Sequence, residues 1–571
     1  MRIVLYASAF NSLSQTIAVR LGERGHDLAV ALDLGGGPAG AQELRSTVDR
    51  HQPDLVIAPM LTTAIPEDIW TRLPCLIVHP GPPGDRGPSS LDWAMASGVR
   101  QWGVTVLQAV AEMDAGPIWA WQPITIPENV TKGALYRGEV SDAAQVAVLR
   151  AVDRFAAGEQ PDPAPDGRAR PYYPQTARQL DWTRDTTAAV SLALRTADSS
   201  PGVLDDVNGT EYYVYGGTPE STLTGTAGAF LATRDGAVCR ATSDGAVWIT
   251  SARPRRVPAG PPTIKAPAAT VLRTHLADVP EIPAPLTAPP TAVHTHASVT
   301  YREHGAVGYL DLDLPSGALT PADCRRLRDA LLHAGSRPTR VLVLGAIRSM
   351  LSGIHLGFVE SQDDPAAASW DNITAIDDVV EQVMATTRQI TVAAIGSGAA
   401  AGGLMLALAC DETWARSSVA LAPNYLAMDL YGSELWTLNL PRRVGTQAAA
   451  RLTSQARPMG AAEALALGLI DRAMPANIAD FEQQVLAAAH GLAADPAWST
   501  RLHHKRTTAY PSEVVAAHRR QELARMHDIF FNPEARYHAL RRAFMHKTPA
   551  DATPEHLRDL PAALLDGGTR A

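Results

Sequence analysis

Three things are scarce in this 571-residue sequence, and each scarcity removes a class of protein. Cysteine occurs four times, at Cys75, Cys239, Cys324 and Cys410, widely spaced and never as a CxxC pair. That excludes a zinc ribbon and offers no disulfide framework, and no metal site is expected. Long apolar runs are missing: nothing approaches the roughly 18 uninterrupted residues that a membrane span requires. The opening MRIVLYASAF meets Asn11 and Ser12 with no signal-peptide pattern, so a cytoplasmic location is expected. An excess of positive charge is also lacking. A net charge of -9 and a pI near 6.0 argue against a nucleic-acid binder or a polybasic membrane-surface protein.

What is present is the composition of an ordinary globular chain, 46% hydrophobic and 19% charged, too long for one core. Short apolar runs at Ile3–Tyr6, Leu28–Leu32, Leu55–Ala58, Leu76–Val78 and Val104–Leu107 alternate with a helical pattern at Ser14–Glu23. That alternation predicts a doubly wound, mainly parallel sheet, with chemistry in the loops beyond the carboxyl ends of its strands. Those loops are Ala7–Gln15, Pro59–Ile65 and His79–Ser90. Four short strand-like segments follow, Tyr212–Tyr215, Ala229–Thr233, Ala237–Ala241 and Val247–Ser251, and predict a small β domain. Pro254–Pro290 is rich in proline and reads as a stiff, partly extended linker. A second α/β pattern starts near Ser298, with a mostly helical end between Gly460 and Lys547. No internal repeat is found.

Two sets of residues carry chemistry. In LIVHPGPPGDRGPSSLDWA, His79 leaves a strand, and in EMDAGPIWA, Asp114 sits in a second loop. A carboxylate that orients an imidazole and stabilises its charged form makes a general base for an attacking nucleophile. A structural strand-end histidine and a plain turn are the alternatives. In IGSGAAAGGLMLALACDE, residues 395–412, small residues lead into an apolar helix and bring backbone N–H groups to its N-terminus. Such donors suit a carbonyl oxygen gaining negative charge, while close helix–strand packing is the alternative. LSGIHLG, residues 351–357, stands where the second half of an oxyanion hole is expected.

The order VHPG, RGPS, WGVTV, MDAGPI resembles the 10-formyltetrahydrofolate-dependent formyltransferases, and RPYYPQTARQLDW looks like the start of their OB-like C-terminal domain. The resemblance implies catalytic roles for His79 and Asp114, and a pterin pocket lined by Pro59, Met60 and Leu61. The family's asparagine position holds Ile77. Asn11 is the candidate by position to help polarise the formyl oxygen, and a helix N-cap is its other reading. Residues 298–545 resemble the crotonase (enoyl-CoA hydratase/isomerase) superfamily, which implies that the N–H groups of Ile354 and Gly402 hold a thioester oxygen. Met405 and Tyr425 occupy the positions of the two hydratase glutamates, so different chemistry is expected. Tyr425 as proton donor and Glu434 as acceptor are the candidates. A packed aromatic and a helix-start carboxylate are their alternatives.

Together with SGIHL, NITAIDD and LYGSE, these motifs look like the HypX/HoxX hydrogenase-maturation family over nearly the whole chain. The fold expected is multidomain α/β. It comprises a formyltransferase-type doubly wound sheet (1–170), an OB-like β domain (171–255), a linker (256–295), a crotonase-like domain with a helical C-terminus (296–548) and a tail (549–571). The resemblance implies formyl transfer from 10-formyltetrahydrofolate to coenzyme A, then decarbonylation of formyl-CoA to carbon monoxide for the iron of a [NiFe]-hydrogenase. The partners expected are small-molecule substrates and hydrogenase-maturation proteins, with no nucleic acid and no membrane. Arg348 and Ser352 replace an acidic residue and an asparagine expected near LSGIHLG. Formyl transfer to another small acceptor, with a crotonase module that binds coenzyme A, is a second reading. A non-catalytic maturation scaffold is a third.

Overall fold

The computed structural model describes residues 1–258 and 260–560. Strands β1 (Arg2–Ala7), β2 (Asp27–Leu32), β3 (Leu55–Ala58) and β4 (Cys75–His79) run parallel, β5 (Gln101–Gln108) runs antiparallel to β4, and β6 (Ile118–Thr125) runs antiparallel to β5. The order is β2-β1-β3-β4-β5-β6. Successive side chains of a strand point to opposite faces, and β1 supplies both apolar layers. Ile3 and Leu5 pack with Leu13, Ile17 and Leu21 of α1 (Ser12–Glu23), whereas Val4 and Tyr6 pack with Leu44 and Val48 of α2 (Gly37–His51). Helix α3 (Ser141–Ala156) completes the first layer through Ala144, Val148 and Val152. The order reverses at β1 and β3, which places a switch point where the loops after β1, β3 and β4 converge.

The second sheet is antiparallel, with β7 (Val203–Val207), β8 (Thr210–Glu220), β9 (Phe230–Arg234), β10 (Ala237–Ala241) and β11 (Ala246–Pro254) in the order β9-β10-β11-β8-β7. Helix α4 (Thr187–Ala197) closes it with Val190 and Leu194. The proline-rich segment is a structural strap and not simply a spacer, which corrects the expectation for residues 256–295. Ala266–Pro267 pairs with β11, and Ala268 and Leu272 are buried in the β-domain core. Further along, Tyr301 donates its amide to the Leu286 carbonyl at 2.8 Å, and Arg326 donates to the Pro285 carbonyl at 2.7 Å.

The third sheet runs in sequence order, with β12 (Val299–His304), β13 (Val307–Leu312), β14 (Val341–Ala346), β15 (Ile390–Ile395), β16 (Glu412–Arg416) and β17 (Arg472–Met474). Only the first pair is antiparallel. Leu342 and Leu344 of β14 face a core shared with α5 (Pro321–Ser336), α6 (Pro365–Ala385) and α7 (Ala401–Leu408). Val341 and Val343 face the opposite layer with Phe481 and Val485. Helices α8 (Trp436–Val444) and α9 (Ser512–Phe530) cover the first of these cores. No helix among the described residues is long and apolar enough to cross a membrane.

The two halves are clamped by charge. Arg416, 1% exposed, donates to Asp142 of α3 at 2.5 Å, and Ser418 donates to the same carboxylate at 3.0 Å. Arg348 pairs with Glu139 at 3.0 Å, so the arginine that departs from the expected loop pattern is part of the interface between the modules. The tail also returns to the first sheet. Leu560 donates to the Leu28 carbonyl at 2.9 Å, Leu32 donates to the Thr553 hydroxyl at 2.9 Å, and Leu557 is buried in the N-terminal core. Residues 561–571 of that tail lie outside the described residues. Removing one partner of a buried ion pair strands the other charge at a cost of about 3–5 kcal/mol. Asp142→Ala is therefore expected to lower the thermal unfolding midpoint of the intact chain clearly, and Asp142→Asn less so.

Candidate active sites

The first site forms at the end of β4. His79 Nε2 lies 3.0 Å from Asp85 Oδ2, and Nδ1 lies 3.5 Å from Asp114 Oδ2. All three side chains are buried or nearly so. Asp114 occupies a left-handed turn (φ 52°) and accepts from the Gly87 amide at 3.0 Å. The loop between His79 and Asp85 is pinned from three directions. Ser90 Oγ and Trp102 Nε1 donate to the Pro80 carbonyl at 2.8 and 3.0 Å, and Thr105 Oγ1 donates to the Gly81 carbonyl at 2.8 Å. Gly81 has no substitute there, because a Cβ on it would lie 2.4 Å from both His79 Nε2 and Asp85 Oδ2.

Asp85 escaped sequence reasoning, although it lies within the quoted GDRG turn. It makes the shorter contact with the imidazole, through Nε2, while Asp114 lies beside Nδ1. Ile77 shares the His79 face and packs with Leu61 and Tyr6, so that position supplies no polar group. Pro59 is buried, and the Met60 carbonyl accepts from the Ser8 amide at 2.9 Å. The loop after β3 is thereby tied to the loop after β1. Ser8 Oγ bridges Asp33 at 2.6 Å and Thr62 at 2.9 Å. Asn11 is the N-cap of α1, with Oδ1 accepting from the Ser14 amide at 3.0 Å.

The second site is built from two loops zipped side by side. The Leu351 amide donates to the Gly398 carbonyl at 3.1 Å, and the Ala400 amide donates to the Leu351 carbonyl at 2.8 Å. A Cβ on Gly353 would lie 3.3 Å from Gly402 N, so the segments bearing Ile354 and Gly402 are in contact. Gly402 belongs to the first turn of α7, where amides have no partner within the helix. Both residues line a cavity of about 330 Å³. Ser352 lines it too, with its hydroxyl held by the Gly317 carbonyl at 2.8 Å. Met405 is fully buried in the core.

Tyr425 and Glu434 face this cavity as a pair, the hydroxyl donating to Glu434 Oε2 at 2.7 Å. Glu434 Oε1 rests against Gly402, where a Cβ would lie 2.0 Å away. The carboxyl is 1% exposed, and burial, with nearby Asp377 adding to it, pushes its pKa up to about 8. Burial and the Glu434 carboxylate push Tyr425 well above its ordinary value. Two buried carboxylates behind Glu434 were not picked out from the sequence, Asp377 of α6 and Glu522 of α9. Burial raises them to about 6 and about 7. Asp377 falls within the quoted NITAIDD motif, but nothing local distinguishes it from its neighbour Asp378.

The cavity is not made by the C-terminal module alone. Phe10 and Gln15, from the loop after β1 and the first turn of α1, form part of its wall, as do His556 and Leu557 of the tail. Near the junction lies a group of cations in which Lys265 senses both Arg137 and Lys547 and meets Asp198 at 3.5 Å. Burial lowers the pKa of all three cations.

Comparison with known proteins agrees with this architecture. Residues 35–152 match the family described as formyl transferase, 174–259 its C-terminal domain, and 305–552 the enoyl-CoA hydratase/isomerase family. The chain is 40% identical over 564 residues to the hydrogenase maturation factor HoxX of Bradyrhizobium diazoefficiens, covering 97% of this chain and 96% of that one. The crystal structure of HypX from Aquifex aeolicus in complex with tetrahydrofolic acid is similar with a TM-score of 0.91 and 35% identity, covering 98% of each chain. The methionyl-tRNA formyltransferase of Enterococcus faecalis is 25% identical over 187 residues, 32% of this chain and 59% of that one.

The contact of Glu434 with Gly402 yields a measurable coupling. Gly402→Ala is expected to destabilise the chain by about 1–3 kcal/mol through overpacking. Combining it with Glu434→Ala should recover most of that loss, so thermal unfolding of the two single variants and the double variant is expected to be strongly non-additive.

Proposed function

The chain belongs to the HypX/HoxX family of hydrogenase maturation factors, and we propose that it transfers a formyl group from 10-formyltetrahydrofolate to coenzyme A and then splits formyl-CoA into carbon monoxide and free coenzyme A. The observation that carries this reading is the second cavity, which presents a carboxyl–phenol pair beside two amide-bearing loops and borrows Phe10 and Gln15 from the formyltransferase module. Both small molecules act as substrates, and the carbon monoxide is destined for the iron of a [NiFe]-hydrogenase. The cationic group formed by Arg137, Lys265 and Lys547 suits the phosphates of coenzyme A.

In the first step His79, oriented by Asp85, takes the thiol proton as sulfur attacks the formyl carbon, and Asp114 stabilises the imidazolium. Pro59, Met60 and Leu61 line the pterin side, and Asn11 holds the start of α1 against it. His79 returns its proton to the departing amine. In the second step the Ile354 and Gly402 amides hold the formyl oxygen. Glu434, ionised, removes the formyl hydrogen as a proton. The C–H electron pair becomes the lone pair on the carbon of carbon monoxide, and the C–S bonding pair leaves with sulfur. Tyr425 gives its proton to the thiolate and regains one from Glu434 across their 2.7 Å hydrogen bond. Atoms and electrons balance with no external oxidant or reductant. Exclusion of water protects the thioester from hydrolysis.

Purified protein supplied with 10-formyltetrahydrofolate and coenzyme A is expected to release carbon monoxide. Glu434→Gln should accumulate formyl-CoA, with gas output lowered by 10²-fold or more, on the order expected for loss of a general base. No gas from the unsubstituted protein sinks the two-step scheme. Stabilisation by folate but not by coenzyme A would then favour another formyl acceptor, and stabilisation by neither would favour a scaffold.

The raised pKa of Glu434 fixes the sign of the pH dependence. At neutral pH most of the carboxyl is protonated and inactive as a base, and the active form grows as pH rises through about 8. Carbon monoxide release from formyl-CoA added directly should therefore accelerate between pH 7 and pH 9. A flat profile in single-turnover measurements would contradict the assignment.

A further inference from the structure

Backbone strain sits directly at the base of the second step. Glu434 and Leu435 both adopt left-handed conformations, φ 63° and 55°, and neither is glycine. Two carboxylates from separate helices hold this bend. Asp377 accepts from Ser433 Oγ at 2.8 Å and from the Glu434 amide at 2.8 Å. Glu522 accepts from the Leu435 amide at 2.9 Å and the Thr437 amide at 2.8 Å, and also from the Thr437 hydroxyl.

Neutral acceptors would satisfy the same donors without the penalty of burying charge. Asp377 is 0% exposed, and its one cationic neighbour among the described residues is Arg519, whose Nε lies 3.8 Å away. Arg519 is closer to Asp378, at 2.6 Å, and to Glu381, at 3.1 Å, so it neutralises Asp377 only in part. We propose that Asp377 is a positioning residue of the second step: it anchors the strained Glu434 backbone so that the carboxyl lies against Gly402, and it confronts that carboxyl with a partly unneutralised negative charge. This rests on Glu434 being the base that removes the formyl hydrogen.

The groups facing Glu434 come from every packed element. They are Asp377 of α6, Glu522 of α9 with Arg519 behind it, Tyr425 of the cavity loop, and Cys324 of α5, whose thiol senses Glu434. His518 lies one step further away, against the Thr437 hydroxyl at 2.8 Å. Asp377 is the foremost carboxylate acting on Glu434, after burial itself. A negative charge there raises the basicity of Glu434 once it has ionised, and so strengthens it for abstracting a weakly acidic formyl hydrogen.

Asp377→Asn keeps an acceptor oxygen and removes the charge. It is expected to lower the pH midpoint for carbon monoxide release from formyl-CoA by about one unit while leaving KM unchanged. Arg519→Gln leaves the Asp377 charge less neutralised and should move the midpoint upward, which provides a second arm if Asp377→Asn folds poorly. The Glu434 carboxyl stretch, identified as the infrared band missing in Glu434→Gln, should titrate with the same two shifts. Midpoints unmoved in both variants overturn the proposal. Full gas output from Glu434→Gln would instead remove Glu434 as the base, and the infrared midpoints would still decide whether Asp377 acts upon it.

Discussion

A carboxylic acid taken out of water either finds a cation or holds its proton more tightly, and burial of Glu434 pushes its pKa up to about 8. No arginine or lysine reaches it among the described residues. Its contacts are a phenol, a backbone amide and the bare Cα of Gly402. Much of the C-terminal module follows from holding that group in place. Helix α7 carries glycine where any side chain would collide, α6 and α9 each bring a carboxylate to the bend at Ser433–Leu435, and Gly353 lets the neighbouring loop close against α7. The same surroundings that make Glu434 a poor acid make it a strong base once ionised.

The wall around this carboxyl is not built by the C-terminal module alone. Phe10 and Gln15 close one side, and the tail, stitched to the edge strand β2, closes another. The ion pairs Arg416–Asp142 and Arg348–Glu139 keep these walls in register. On the proposed reading, a reactive thioester made beside His79 would have only to move toward a cavity whose wall begins on the same switch-point loops. On that reading the joining of two modules in one chain would have a physical use beyond keeping two enzymes near each other.

Much of this was legible in the residues. Alternating apolar runs gave the strand order of events along both α/β modules, and the β domain appeared at its turns. His79 and Asp114, each a weak signal alone, stood out through the resemblance of their motifs to the formyltransferases. The small-residue loops around Ile354 and Gly402 were assigned as an oxyanion hole through the crotonase resemblance, since small residues alone fit close packing as well. Tyr425 and Glu434 were found by position, nine residues apart. Asp85 and Asp377 were passed over, since a carboxylate in a turn or on a helix is usually solvated. The proline-rich stretch was taken as a spacer because its composition is that of an extended chain, and composition does not reveal what the chain lies against.

The sequence by itself determined the periodicities, and with them the sheets, the helices and the residue types available at each strand end. Those depend on neighbours within a few positions, where the pattern of apolar and polar side chains is sufficient. Tertiary structure alone decided which of two aspartates would lie nearer His79, that Arg348 would clamp the modules, and that Glu434 would lose water and Asp377 would face it. Burial and Coulomb interaction act through space, between groups up to hundreds of residues apart, and they exist only once the chain has brought those groups together.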